Sequence, residues 1–158
     1  MSDSKIALRR AELRDSNAVL SWRNDEDAVR QSLSGRAVSP ARHLSWFREA
    51  ITSPDTFLFV AELVSESEGT PLGMCRFEHQ GEDKFAASIN IAPEFRGRGW
   101  GQKVLASGIH FLDIADVQCH EINAIVHQGN PGSRRIFEKV GFTVVEQDDS
   151  WLHLRLLL

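Results

Sequence analysis

Residues 89–101 restrict the possible folds of this chain more than any other segment. Their sequence, INIAPEFRGRGWG, predicts a strand, a turn marked by proline, a glycine-rich loop and the start of a helix. Three glycines permit tight turns and close approach of a ligand: Gly97, Gly99 and Gly101. A helix that begins here presents unpaired N–H groups, and Arg96 and Arg98 add cationic donors. Together these features predict a binding site for a pyrophosphate group.

Two other phosphate-binding arrangements do not fit this segment. A Walker-type loop requires Gly-Lys followed by Ser or Thr, which the loop lacks. A dinucleotide-binding fold needs a parallel βαβ unit early in the chain. Here three strand-like runs precede the loop, over residues 56–63, 71–79 and 84–92. Polar turn residues at 65–69 and 80–83 join them, which predicts a meander of antiparallel hairpins.

The remaining patterns predict a mixed α/β chain. Asp15 and Ser39 are N-cap candidates, and Asn130 caps a helix that ends at Gly141. The further elements are a strand over 5–10, helices over 16–22, 25–32, from 40, over 99–115 and from 131, and strands over 121–127, 143–147 and 151–157. The order is β-α-α-β-β-β-α-β-α-β-β, a mixed sheet with helices packed on it. No linker or repeat divides the sequence, so we expect one domain over 1–158.

Charge and cysteine content exclude several classes of protein. The chain has 158 residues and a net charge of -4, which argues against a nucleic-acid-binding protein. Cys75 and Cys119 form no C-x-x-C pair, so neither a zinc site nor a disulfide framework is expected. The sequence shows no signal peptide and no apolar run of about 20 residues. We therefore expect a cytoplasmic protein that binds no metal and no membrane.

Two motifs resemble those of a known family. The pattern Arg96-x-x-Gly99-x-Gly101 resembles the Q/R-x-x-G-x-G/A signature of the GCN5-related N-acetyltransferase (GNAT) superfamily. Residues 130–142, NPGSRRIFEKVGF, resemble its second motif, N-x-x-S/A-x-x-x-Y-x-K-x-G-F. The resemblance covers nearly the whole chain. It implies an α/β (α+β) fold: a mixed, mostly antiparallel sheet of about seven strands, flanked by helices and splayed to form a cofactor cleft.

The resemblance implies acetyl-CoA as the co-substrate. In the family, backbone amides of the glycine-rich loop hold its pyrophosphate, and a splayed strand pairs with its pantetheine arm like an added strand. The positions that match these roles are Ile89, Ile91, Arg96, Gly97, Arg98, Gly99, Trp100, Gly101, Asn130 and Phe137. For Asn130, a plain N-cap is an equally good interpretation and is compatible with a second role.

The sequence contains no tyrosine, and this affects the expected mechanism. Family members commonly use a tyrosine of the second motif to protonate the leaving thiolate, and the matching residue here is Phe137. A phenyl ring has no proton to give. Either the thiolate leaves unprotonated, or water, the substrate or another side chain supplies the proton. A free thiol has a pKa of about 8.5, so departure as a thiolate is tolerable.

Several residues are candidates for the general base. Relatives often carry a glutamate on the central strand, but residues 85–90 contain none. His127, at the end of the strand that flanks the predicted cleft, suits deprotonation of an ammonium group. Glu78 and His79 are alternatives at the end of the preceding strand, and alternation places only one of them on the cofactor side. Glu62 is a further option, and Asn90 could orient the acceptor or a water.

The N-terminal helices suggest an acceptor. Their W-R-N … V-R … H-x-x-W pattern resembles that of pseudaminic-acid-pathway amino-sugar N-acetyltransferases, which are relatives of ribosomal-protein N-acetyltransferases. The resemblance implies acceptor contacts from Trp22, Arg23, Asn24, Arg30, His43 and Trp46. Arginines suit a diphosphate, Asn and His suit sugar hydroxyls, and Trp suits a ring. Alternatively, both tryptophans pack in the core, and both arginines pair with neighbouring acids at the surface.

These patterns predict an acetyl-CoA-dependent N-acetyltransferase acting on a primary amine. The favoured acceptor is a small molecule, an amino sugar in nucleotide-linked form. A second hypothesis keeps the chemistry but makes the acceptor a peptide or protein N-terminus. A third is a non-catalytic acyl-CoA-binding sensor, since the phenol and the strand glutamate are absent. We expect a monomer or a homodimer, with no nucleic-acid partner.

Overall fold

The computed structural model describes residues 5–64 and 69–158, which form one seven-stranded sheet with five α-helices. The strands are β1 (Lys5–Arg10), β2 (Thr56–Val64), β3 (Thr70–His79), β4 (Lys84–Ile91), β5 (Glu121–His127), β6 (Thr143–Gln147) and β7 (Trp151–Leu157). The helices are α1 (Ser16–Arg23), α2 (Glu26–Arg30), α3 (Pro40–Thr52), α4 (Trp100–Ile114) and α5 (Pro131–Val140). The predicted α/β fold is confirmed, but three helices, not the two of the predicted order, lie between β1 and β2. Residues 65–68 of the predicted first turn lie outside the described residues.

Local sequence signals explain where α3 begins and where α5 ends. Ser39 accepts a hydrogen bond from the Arg42 N–H at the start of α3, as expected for an N-cap followed by proline. α5 ends at Gly141, whose φ of 118° is the left-handed conformation of a helix C-cap. Asp15 differs from the prediction, because its side chain does not cap α1. It is buried and accepts hydrogen bonds from the Arg9 guanidinium, which also binds Glu62.

The sheet has the strand order β1-β2-β3-β4-β5-β7-β6. All neighbouring strands are antiparallel except β4 and β5, which run parallel. β4 and β5 pair only at their N-terminal ends, from Lys84↔Glu121 to Ala86↔Asn123. Beyond these three pairs the strands separate, while each keeps its partner on the other side. The sheet therefore contains a gap that opens toward the C-terminal ends of two parallel strands.

Helices cover the two faces of the sheet unequally. α4 packs on one face, where Val104, Leu105 and Leu112 lie in the larger apolar core with the inner side chains of β2–β5 and β7. α1 and α3 cover β2–β4 on the other face and form a second core around Trp22 and Phe47. On this second face the part of the sheet formed by β5 is open, and Ile125 is 49% exposed. We call this second face of the sheet, which no helix of the described residues covers at β5, the open face.

No helix in the described parts of the chain combines the length and apolarity needed to cross a bilayer.

Candidate functional site

The gap between β4 and β5 exposes backbone groups of both strands. We call the two strand edges that face the gap its banks. Ala92 N–H donates to Leu72 O across the β3–β4 pair. Backbone groups of successive residues in an antiparallel strand point to opposite sides, so those of Ile89 and Ile91 face the gap. On the other bank, Gln128 N–H donates to Ser150 O of the β5–β7 pair. By the same alternation, the backbone groups of β5 residues 125 and 127 face the gap. The gap is therefore shaped for an extended ligand that pairs with strand edges.

The glycine-rich loop lies at the mouth of this gap. Gly97 and Gly99 have φ values of 73° and 82°, and a Cβ on either would have nothing within 4 Å among the described residues. Both face open space, as an incoming phosphate requires. Gly101 has a different role from the one predicted. A Cβ there would overlap the Ile136 side chain of α5, so this glycine permits close packing of α4 against α5.

The two loop arginines are in different environments. Arg98 is exposed and makes no hydrogen bond or ion pair within 5–64 and 69–158. Arg96 is tied down: Nε donates to Ile91 O (2.8 Å), Nη1 to Asp25 Oδ2 (2.7 Å) and Nη2 to Asn90 Oδ1 (3.3 Å). Its hydrogen bond also holds the pKa of Asp25 below the ordinary value of an aspartate. Arg98 is thus the loop cation available to an anionic ligand.

Three other predicted cofactor residues have clear packing roles. Trp100 begins α4, is half-buried, and lies under the Lys103 ammonium at 4.9 Å. Asn130 caps α5, with Oδ1 accepting from the Ser133 N–H (3.0 Å). Phe137 is 2% exposed and packs edge-to-face on Phe142, with ring centroids 5.0 Å apart. Its ring belongs to the core and is not exposed to a ligand, so a cofactor that reaches this part of α5 would contact other residues on the helix surface.

Beyond the last paired residues, four side chains lie on the open face beside the gap: Ser88, Asn90, Ile125 and His127. Ala86 and Asn123 are the last paired residues of β4 and β5. Side chains alternate along a strand, so Ser88 and Asn90 lie on the same face as Ala86, and Ile125 and His127 on the same face as Asn123. Asn90 and His127 are each four residues beyond the last pair. The structure therefore brings these two predicted residues to facing banks of the gap.

His127 does not present a free lone pair. Its Nδ1 accepts a hydrogen bond from the Gly129 N–H (2.9 Å), and its ring packs edge-to-face on Trp151. A neutral ring with Nδ1 as acceptor carries its proton on Nε2. This contact occupies Nδ1, so the placement of His127 does not support its predicted role as a base.

Glu78 lies on the open face near the closed end of the gap. It is opposite Ala86 in the β3–β4 register, and its Oε1 is 3.2 Å from Nε of Arg76. Arg76 also donates to Ser88 Oγ (3.2 Å) and lies over the Trp46 ring at 5.2 Å. Glu78 and Trp46 line a concavity of about 480 Å³ at the end of α3. Sequence patterns did not identify Arg76, which lies in β3 two residues before Glu78.

The other two base candidates lie away from the gap. His79 ends β3, with its ring against Phe85 (5.1 Å between centroids) and Nδ1 3.9 Å from Asp55 Oδ1. Phe85 belongs to the α4 face, so His79 and Glu78 are on opposite faces. Glu62 accepts from Arg9 in the network that fixes β1 to β2. Glu78 is thus the acid or base candidate beside the end of the gap where the strands meet.

The predicted acceptor residues mostly hold the N-terminal helices together. Trp22 is 6% exposed in the second core, and Trp46 packs at its edge. His43 is also buried and lies 3.0 Å from Ser16 O through Nε2, and burial lowers its pKa. The buried imidazole already contacts Ser16 O through Nε2, so its contacts do not support the predicted binding of sugar hydroxyls. For the tryptophans, the alternative of core packing describes the structure.

The arginine and asparagine of this group also make internal contacts. Asn24 donates to Val38 O and accepts from Val38 N–H (both 2.8 Å), which fastens the segment after α2. Arg23 donates through Nη2 to Arg36 O (3.2 Å) in the same segment. Arg30 pairs with Glu26 and Asp27 at the surface, as the alternative interpretation expected. The prediction that these side chains bind a diphosphate sugar therefore has no support in their contacts.

In residues 5–64 and 69–158, no group of three or more His, Cys, Asp or Glu side chains is placed to hold a metal ion. Burial raises the pKa of the Cys75 thiol, which is therefore an unreactive core group.

Comparison with known proteins agrees with the architecture of the gap and loop. A family model described as an acetyltransferase (GNAT) domain matches residues 5–143. No protein with a curated description matches the chain by sequence.

Solved structures share the fold at low sequence identity. A domain from Methanocaldococcus jannaschii has a TM-score of 0.87 and 17% identity, covering 99% of this chain and 100% of that one. Spermidine N-acetyltransferase from Vibrio cholerae, solved with CoA and spermine, has a TM-score of 0.80 and 18% identity, covering 96% and 95%. The acetyltransferase AAC(6')-Ib, solved with ribostamycin and coenzyme A, has a TM-score of 0.78 and 17% identity, covering 97% and 93%.

Proposed function

This chain belongs to the GNAT acetyltransferase family, and from that premise we propose that it transfers the acetyl group of acetyl-CoA to a primary amine of a small molecule. One observation carries the proposal: a gap in the sheet, with backbone groups on both banks, leads directly to a loop of left-handed glycines and an exposed arginine. An extended pantetheine arm and its diphosphate need these two features side by side. Two of the structural relatives were solved with coenzyme A.

The residues present fit such a ligand. Backbone N–H groups at the start of α4 and the Arg98 guanidinium would hold the diphosphate, because Gly97 and Gly99 leave the space before them open. The N–H of Ile91 and both backbone groups of Ile89 would pair with the pantetheine amides, since Arg96 occupies the carbonyl of Ile91. Acetyl-CoA supplies an activated thioester.

The direction of the strand places the chemistry. The diphosphate would lie at the C-terminal end of β4. The pantetheine arm would run from there toward the N-terminal end of the strand, which brings the thioester close to Ala86. The nearest acid or base candidate at that level is Glu78. We propose that the Glu78 carboxylate takes the proton from the acceptor ammonium, directly or through water, so that a neutral amine attacks the thioester carbonyl. Arg76 and Ser88 form the adjoining wall.

The leaving group departs without a tyrosine. As the carbon–sulfur bond breaks and the amide forms, the attacking nitrogen loses its extra proton to solvent. The thiolate is tolerable as a leaving group because a free thiol has a pKa of about 8.5. Phe137 is buried against Phe142 and has no proton to give. Solvent that reaches the open face therefore protonates the thiolate.

The charge of the concavity indicates the class of acceptor. Two structural relatives were solved with spermine and with ribostamycin, which are small molecules bearing several amines. Glu78 and Glu49 line the concavity beside the closed end of the gap, and both favour a cationic amine over an anionic one. A nucleotide-linked amino sugar, a peptide N-terminus and a non-catalytic sensor role remain alternatives that one assay can separate.

That assay measures release of the CoA thiol from acetyl-CoA with a panel of amines. The panel contains a polyamine, an aminoglycoside, a free amino sugar, a 4-amino sugar nucleotide and an N-terminal peptide. We expect release with the small polyamines or amino sugars. Turnover of the sugar nucleotide or the peptide alone would replace the proposed acceptor class. Tight acetyl-CoA binding without release from any amine would favour the sensor role.

The base assignment predicts a loss of turnover on removal of the Glu78 carboxylate. We expect Glu78→Gln to lower kcat/KM by about a hundredfold, because general base catalysis typically contributes 10²–10⁴-fold. The affinity for acetyl-CoA, measured by calorimetry, should not change. The matched control is Glu49→Gln, which removes one carboxylate from the same concavity and should leave kcat near the wild-type value. If His127→Gln rather than Glu78→Gln abolished turnover, the base would be His127.

The loop assignment predicts a salt-dependent loss on removal of the Arg98 charge. We expect Arg98→Gln to weaken acetyl-CoA binding about tenfold, which is the worth of one charge-assisted contact near the surface. The difference from wild type should shrink in high salt because exposed charges are screened. Calorimetry at two salt concentrations measures both effects. Equal affinities of the two proteins in low salt would remove Arg98 from the site.

A further inference from the structure

Arg96 joins the end of β4 to the start of α2, which is far away in sequence. Its guanidinium bonds the last residues of β4 through Ile91 O and Asn90 Oδ1, and bonds Asp25, which is 71 residues away, at the start of α2. Each of its three nitrogens is therefore engaged within the protein. Its positive charge is also matched by a carboxylate at 2.7 Å. These contacts suit a brace better than a phosphate ligand.

Asp25 connects this brace to the helix that crosses the mouth of the gap. It caps α2 by accepting from the Ala28 N–H (3.3 Å) while it holds Arg96. At the other end of α2, Gln31 Nε2 donates to Gly129 O (3.4 Å), just beyond β5. The segment 25–31 is thus anchored to both banks of the gap. A change at Asp25 would loosen the bank formed by β4 and free one end of this segment.

We infer that Asp25 and Arg96 are positioning residues for acetyl-CoA, and that Arg96 acts by fixing Ile91 and the Asn90 amide rather than by binding the diphosphate. The inference rests on the proposed function, because it concerns the same ligand. The Asn90 oxygen accepts from Arg96, so its NH₂ group is the part left to donate to the ligand. Asp25 acts through this chain without contacting the ligand.

Loss of the Asp25 charge discriminates between the two roles of Arg96 by the sign of its effect. If Arg96 were a diphosphate ligand, removal of its competing carboxylate would strengthen binding or leave it unchanged. If Arg96 is a brace, the same removal weakens binding, because the guanidinium and the Asn90 amide lose their fixed orientation. The substitution removes the same charge under either hypothesis. The sign of the change in acetyl-CoA affinity therefore depends on the role of Arg96.

The experiment compares Asp25→Asn and Asp25→Ser with Asp27→Asn in the full chain. Asn and Ser both retain an N-cap acceptor for α2, so the helix should persist. Asp27 lies on the same helix and contacts Arg30 rather than Arg96, which makes it a matched control for charge. We expect both Asp25 variants to bind acetyl-CoA about tenfold more weakly by calorimetry. The Asp27 variant should bind as tightly as wild type or slightly more tightly.

Two further measurements test the path through Asn90. Asn90→Ala should also weaken binding, and Asp25→Asn should add little to it in the double variant, because residues acting in one chain are not additive. The side-chain NH₂ resonances of Asn90, identified by their loss in Asn90→Ala, should shift in Asp25→Asn and not in Asp27→Asn. A merely structural role for Asp25 would give additive losses and no specific shift.

The outcomes separate this inference from the proposed function. If the wild type binds no CoA thioester, both are wrong. If it binds and turns over acetyl-CoA while the Asp25 variants bind equally or more tightly, the proposed function stands and Arg96 is a diphosphate ligand. Strictly additive losses in the double variant would also overturn the inference.

Discussion

Gly99→Val should abolish detectable acetyl-CoA binding, with a loss of at least about a hundredfold in affinity. Gly99 has a φ of 82°, where a β-branched residue costs about 1–3 kcal/mol of strain. Its Cβ would also project into the open space before α4, where the diphosphate is expected. A loop that relaxed its strain would no longer direct its N–H groups at the ligand. Calorimetry with acetyl-CoA measures the loss.

The matched control for this variant is Gly81→Val. Gly81 has a φ of 90° and equally open surroundings, but it lies in the turn between β3 and β4, away from the mouth of the gap. The two variants should lose similar thermal stability, and only Gly99→Val should lose the ligand. Wild-type affinity in Gly99→Val would contradict the assignment of this loop to the diphosphate.

Gly101→Val should destabilise the fold itself. The new side chain would overlap Ile136, so α4 and α5 would have to separate, and overpacking of this kind costs about 1–3 kcal/mol. For a domain of this size each kcal/mol lowers Tm by about 2–4 °C. Thermal denaturation followed by circular dichroism measures the change.

A compensating substitution tests the cause of that loss. Ile136→Ala removes the atoms that a side chain at 101 would strike. The double variant Gly101→Val/Ile136→Ala should therefore lose clearly less stability than the sum of the two single losses, by a coupling of about 0.5–3 kcal/mol. Additive losses would show that the glycine serves something other than the α4–α5 contact.

These two glycines illustrate what the sequence could and could not predict. The motif correctly predicted a strand, a glycine-rich loop and a helix, because turn and cap chemistry is local. It also assigned one purpose to all three glycines. Only the position of α5 reveals that Gly101 faces a neighbouring helix while Gly97 and Gly99 face open space. Packing between elements distant in sequence is not encoded in local spacing.

The acceptor residues show the same limit for polar side chains. The W-R-N … H-x-x-W pattern assigned Trp22 and His43 to the acceptor, but it could not show which polar atoms the fold would satisfy internally. Asn24 bonds Val38 at both ends of its amide, and the His43 ring is buried beside Ser16. Conversely, Arg76 and the pair formed by Asp25 and Arg96 are tertiary contacts without a sequence motif. The fold was therefore more predictable than the chemistry of its open face.

The short pairing between β4 and β5, which we call the seam, has a consequence for stability: on the proposed function, the stability of the fold depends on the concentration of acetyl-CoA. Within the described residues, three residue pairs join the two halves of the sheet across that seam, and the backbone groups beyond them face the gap without a strand partner. On the proposed function, bound acetyl-CoA supplies the missing partner. Ligand that binds only the folded state stabilises it in proportion to the logarithm of its concentration. The lifetime of the enzyme in the cell would then follow the supply of its own acetyl donor, without a dedicated effector site.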